Sequence, residues 1–202
     1  MPNELKYRVA KEAATLLYFG AEKEYKQAKV RAAKTLGTNF LPSNLEVALQ
    51  LDKIAEESEG LKRKDRLIEM RKEALKTMKF LNAYRPRLIG SVWRGTIKQG
   101  SDIDIAVYAD EPEEITNVLK SEGVKITKKA WMTVNKQGKT LASFHIYAES
   151  SAKQRFEIVV RSAEEAGEKR KCEIFGDTIK GLTIQDLEKV LQDSPTQKFI
   201  PS

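Results

Sequence analysis

The chain has 202 residues and carries 36 Lys/Arg against 29 Asp/Glu, a formal net charge of +7 with its one histidine neutral. Hydrophobic residues are 41% and charged residues 32%, a balance that buries a core beneath a charged surface and excludes disordered and fibrous classes. No apolar run nears the roughly 18 residues of a membrane span, the first residues are too charged for a signal peptide, and Cys172 is the only cysteine, so no membrane role and a reducing cytoplasm are expected.

Residues 4–35 read as one long amphipathic helix, with Leu5, Val9, Leu16, Leu17 and Tyr25 near helical spacing and Gly20 as a point where it kinks. "TLGTNFLPSN" ends it, and Ser43 with Glu46 three residues on is a capping box for a helix over 44–57. "ESEGLKRKD" reads as a second break, followed by a third helix from Asp65 to Tyr84, before Pro86. Residues 1–84 hold 17 Lys/Arg and 12 Asp/Glu, so this three-helix domain carries +5 of the charge. That excess is either a solvated lysine-rich surface or a face for RNA or phosphate.

From Arg87 the period changes to two. Short strands are expected at 87–89 and 102–109, then a helix in "DEPEEITNVLKSEG" with Pro112 and acids in its first turn. Strands follow at 124–134 and 140–148, joined by the hairpin loop "NKQGK", and another at 154–161. "GDTIKG" is a turn, Thr183 caps a last helix over 184–192, and the tail "SPTQKFIPS" is expected to be loose. The fold class is therefore α+β: a helical domain over 1–84, then an α/β domain with a small mixed sheet over 85–202.

The chemistry concentrates in "LIGSVWRGTIKQGSDIDIAVYAD". Gly90 and Ser91 end a strand and open a turn where backbone N–H groups approach phosphate oxygens. Arg94 offers a planar, permanently charged fork, and Gly95 lets the chain turn. Ser101 precedes Asp102 and Asp104, whose alternation on a strand points both carboxylates to one face. Two ionised carboxylates about 5 Å apart repel by roughly 3 kcal/mol at an effective dielectric near 20. A hard divalent cation, Mg²⁺ or Mn²⁺ in its place, cancels that repulsion and takes substrate phosphate oxygens as further ligands. There is neither a Walker loop nor a GxGxxG.

The pattern Gly90-Ser91…Arg94-Gly95-Thr96…Ser101-Asp102-Ile103-Asp104 resembles the signature of the DNA polymerase beta-like nucleotidyltransferase superfamily. Its spacing is most similar to that of the minimal nucleotidyltransferases and their archaeal relatives. The resemblance covers about residues 86–161. It implies that Gly90 and Ser91 grip the phosphates of an NTP, and that Asp102 and Asp104 hold two Mg²⁺ ions for in-line transfer of a nucleoside monophosphate. It also implies a third carboxylate on a later strand. In "KQRFEIVVRS" the alternation puts Phe156, Ile158 and Val160 towards the core and Glu157 on the other face, which makes Glu157 the candidate. The family more often has Asp there, and an ion pair with a nearby Lys or Arg is the structural alternative. Glu149 and Asp110 are lesser candidates at strand ends.

Lys98, Arg155 and Arg161 are further candidates for phosphate. Trp93 either stacks on a base or covers the helical domain, with packing favoured, and His145 reads as a satisfied strand histidine rather than a general base. One histidine and one cysteine make no zinc site. The expected function is a metal-dependent nucleotidyltransferase acting on RNA, a protein side chain or a small molecule, with the basic helical half as acceptor platform. Two rivals stand beside it: an NTP- or nucleic-acid-binding protein of the same fold without transfer, and an antitoxin-like interaction module.

Overall fold

The computed structural model describes residues 2–136 and 139–201. The chain begins with α1 (Pro2–Tyr18) and α2 (Tyr25–Thr35). The single helix expected over 4–35 is thus broken rather than kinked. Gly20 takes φ of 73°, a left-handed conformation that glycine adopts without a steric penalty, and α2 folds back on α1. Small residues permit the close approach: Ala10, Ala13 and Ala14 meet Ala28, Ala32 and Ala33, all buried, with Val9, Leu17 and Val47 completing a satellite core.

The second correction runs the other way. The break expected at "ESEGLKRKD" is only a kink inside α3 (Asn44–Phe80), at Gly60 with φ 54° and ψ −135°. Ser43 and Glu46 form the expected capping box at its start. The first half of α3 supports the satellite core. Its second half contributes Leu67, Met70, Ala74 and Met78 to the main core, against the sheet. The change of core therefore falls within α3, upstream of residue 84.

The sheet has five strands in the order β1 (Arg87–Ile89), β2 (Ile103–Tyr108), β5 (Arg155–Arg161), β4 (Lys139–Glu149) and β3 (Lys125–Lys136). Only β2 and β5 run parallel; the other neighbours are antiparallel. The fold is α+β with a small mixed sheet, as expected. Gln137 and Gly138 of the expected "NKQGK" hairpin lie outside the described residues. Three further helices are short: α4 (Gly90–Arg94), α5 (Pro112–Ser121) and α6 (Ile184–Asp193). Thr183 caps α6 in a box with Asp186. One face of the sheet, with Ile103, Ile105, Val107, Ile146, Phe156, Ile158 and Val160, is buried in the main core with α3, α5 and α6. Among the described residues no helix is long and apolar enough to cross a membrane.

The tail is not loose. Arg71, fully buried on α3, donates to the carbonyls of Val92, Trp93, Pro195 and Gln197. Burial lowers its guanidinium to about 10, and the carbonyl acceptors compensate the buried donors. Phe199 closes the strap through its N–H to the carbonyl of Arg94 at 2.9 Å.

Candidate active site

Strand β1 ends at Ile89, paired with Asp104 of β2, and the chain turns at once into α4. Gly90 makes that turn with φ of 68°. A Cβ placed there would lie 1.9 Å from Asp104 Oδ2, so only glycine lets the backbone pass this close to the carboxylate. The resulting juxtaposition puts the first turn of α4, with Ser91, beside Asp104. Asp102 lies just ahead of β2, and Glu157 is the direct partner of Asp104 across the parallel β2–β5 pair. The alternation read from the sequence is the alternation of the sheet: Asp104 and Glu157 occupy the face opposite the core.

These carboxylates feel one another. Burial, then the charges of Glu157 and Asp102, push the Asp104 carboxyl up to about 8. Asp102 Oδ1 lies 2.7 Å from Arg155 Nη2 as an ion pair without hydrogen-bond geometry, and the same guanidinium donates to the carbonyl of Gly100. Glu157 Oε1 lies 2.6 Å from His145 Nδ1, while His145 Nε2 lies 2.9 Å from Ser143 Oγ. With Nδ1–H donated to the carboxylate, Nε2 accepts from the serine hydroxyl. Among the described residues, no three His, Cys, Asp or Glu side chains stand together as a metal-binding group. The donor set still suits a hard divalent cation: carboxylate oxygens of Asp102 and Glu157 beside the Asp104 carboxyl, whose titration burial, Glu157 and Asp102 push up to about 8.

The other residues singled out in the sequence have varied placements. Ser101 closes the loop before β2, its Oγ accepting from Lys98 N at 2.9 Å and its N–H donating to Lys98 O at 3.0 Å. Arg94 points inward. Its guanidinium holds Asp177 (2.6 and 3.2 Å) and the carbonyl of Phe199 (2.9 Å), and lies over the rings of Trp93 and Phe175. It ties the tail and the 172–177 turn to α4 and contributes no fork to the carboxylate face. Trp93 packs in the main core rather than standing free to stack on a base. Arg161, at the far end of β5, has its pKa lowered by burial and by Arg170. Asp110 accepts from Ala163 N at 3.0 Å, and Glu149 lies 3.4 Å from Lys153.

Tyr147 was not foreseen. Its hydroxyl hydrogen-bonds with Glu157, and burial together with that carboxylate raises its pKa. The ring of His145 lies nearly parallel to it, 28° apart with centroids at 6.5 Å. The signal in the sequence was the alternation Ser143, His145, Tyr147 on one strand, a polar face opposite Phe144, Ile146 and Ala148.

The sequence matches the nucleotidyltransferase domain family over residues 71–181, more than half of the chain, and the chain belongs to that family. The match begins in the second half of α3, the part that joins the main core. Among solved structures, one of a cytoplasmic RNA terminal U-transferase is 15% identical with a TM-score of 0.34. The similarity covers 54% of this chain and 34% of that one, so the chain spans about a third of its length. No protein of curated function matches.

Proposed function

We propose that the protein moves a nucleoside monophosphate from an NTP to an acceptor hydroxyl and releases pyrophosphate, with Mg²⁺ or Mn²⁺ held by Asp102, Asp104 and Glu157. The observation that carries the reading is the position of Asp104. It is half-buried beside two other acids, its carboxyl is pushed up to about 8, and it is packed against a glycine that admits no side chain. A fold keeps so unfavourable a group where function requires it. A divalent ion there would neutralise charge on the triphosphate and on the entering and leaving oxygens. Gly90 and Ser91 approach the phosphates through the backbone and hydroxyl of the first turn. Ser101 fixes the loop that presents Asp102, and Arg155 is drawn from Asp102 to a phosphate oxygen as the site loads. Membership of the family supports nucleotide transfer in general; the acceptor comes from the surroundings of the site.

The test uses α-labelled ATP, GTP, CTP and UTP with Mg²⁺ or Mn²⁺ and RNA and protein extracts, with Asp104→Asn as control. Label passing to a macromolecule with wild type alone supports the reading. A second reading, NTP binding without transfer, is favoured by the engagement of Glu157 with His145 and of Asp102 with Arg155. Metal-dependent NTP binding with no transfer of label under any of these conditions would establish it instead.

A further inference from the structure

In-line displacement sets the entering oxygen and the departing pyrophosphate on opposite sides of the phosphorus. Gly90 and Ser91 flank Asp104 from the β1 side, so an acceptor approaches from the other, across β5, β4 and β3. A row of directly paired residues marks that direction. Asp104 is opposite Glu157, Glu157 opposite Tyr147, and Tyr147 opposite Lys128. Directly paired residues share one face of a sheet, and the side chains agree. The Tyr147 hydroxyl bonds with Glu157, and Lys128 Nζ lies 5.5 Å from the centre of the Tyr147 ring.

Three strand-to-strand steps separate Asp104 from Lys128, about 14 Å at the usual spacing. Beyond Glu157 the row contains no acid. Tyr147 is half-buried, while Lys128 and Met132, which lies on the same face opposite Ser143, are exposed. An aromatic ring with a cation at its outer side, leading away from the carboxylates, matches a nucleotide unit. The base stacks on the ring, and the ammonium now over the ring is drawn off by the phosphate. A base must be free of its own duplex to reach such a ring, which favours a single strand.

We infer that the row from Glu157 through Tyr147 to Lys128 is an acceptor site for single-stranded nucleic acid, which presents its terminal hydroxyl at Glu157. The inference rests on the proposed transfer only for the direction of approach.

Fluorescence anisotropy without NTP tests it, using short fluorescent RNA and DNA single strands, a duplex control, and the full chain as wild type, Lys128→Ala, Tyr147→Phe and Tyr147→Ala. Single strands should bind more tightly than the duplex. Tyr147→Ala should weaken binding roughly tenfold, Tyr147→Phe by less than about threefold because the ring stays. Lys128→Ala should flatten the dependence of log K on log salt by about 0.7, one phosphate contact on a single strand. The RNA and DNA arms show whether the 2′-hydroxyl is read. Absence of strand binding, or equal binding by all four proteins, overturns the inference. Transfer of label to a protein or small molecule at the same rate in wild type and Lys128→Ala also overturns it, and leaves the proposed transfer standing. Strand binding with the expected losses but no transfer leaves the row intact and removes the proposed transfer instead.

Discussion

Replacing Asp104 with asparagine should stabilise the metal-free protein while abolishing transfer. The carboxyl ordinarily titrates near 3.8; in the fold it is pushed up to about 8 by burial, Glu157 and Asp102. Between those values the unfolded chain has lost the proton and the folded chain keeps it. Folding therefore becomes less favourable as pH rises from about 4 to about 8, and the loss is complete above that. A shift of this size corresponds to several kcal/mol, since each pKa unit is worth about 1.4 kcal/mol. Asparagine has nearly the same shape and does not titrate, so the variant escapes this loss. In a chain of this size 1 kcal/mol moves Tm by roughly 2–4 °C, so Asp104→Asn should melt roughly 5–15 °C above wild type at pH 8. The gap should shrink towards zero near pH 4. Thermal unfolding in EDTA across that range measures it, with Arg155 and His145 left in place because they contact Asp102 and Glu157. Adding Mg²⁺ or Mn²⁺ should raise the wild-type Tm and narrow the gap, because an ion that binds only the folded state stabilises it. Equal melting of the two proteins at every pH would refute the account of Asp104 as an acid that the fold holds against ionisation. A gap insensitive to both cations would remove it as a metal ligand.

Gly90→Ala forces a methyl to within 1.9 Å of Asp104 Oδ2 at φ of 68°; we expect a loss of about 2 kcal/mol or more in urea unfolding and at least a hundredfold lower transfer. Arg94→Met removes the partner of Asp177 and of the Phe199 carbonyl. It should cost about 3 kcal/mol and expose the tail to carboxypeptidase, whereas unchanged proteolysis would show that Arg94 does not hold the tail. Thr183→Ala deletes one half of the α6 capping box and should lower stability by about 1 kcal/mol with transfer per folded molecule unchanged.

Much of this molecule is settled locally. Ser43 and Thr183 announce their helices because a cap is a contact between residues three apart, and both boxes form. The change from helical to alternating period at Arg87 marks the start of the sheet, since one buried face imposes a period of two. The outward faces of Asp104 and Glu157 were legible for the same reason. Gly20 and Gly60 show where local reading ends. Both take positive φ, yet one ends a helix and the other only bends it. The difference lies in what each segment packs against: the alanines of α1 and α2, or the main core beneath α3. Arg94 read as a phosphate fork because a planar, permanently charged group stands within the glycine-rich motif; its true partners, Asp177 and Phe199, lie 83 and 105 residues away. Tyr147 comes beside Glu157, and Lys128 beside Tyr147, only through strand register, a long-range pairing that no spacing along the chain encodes. Sequence alone determined which residues carry charge, turn and face. The tertiary structure decided which of them meet, because those contacts form between elements distant along the chain.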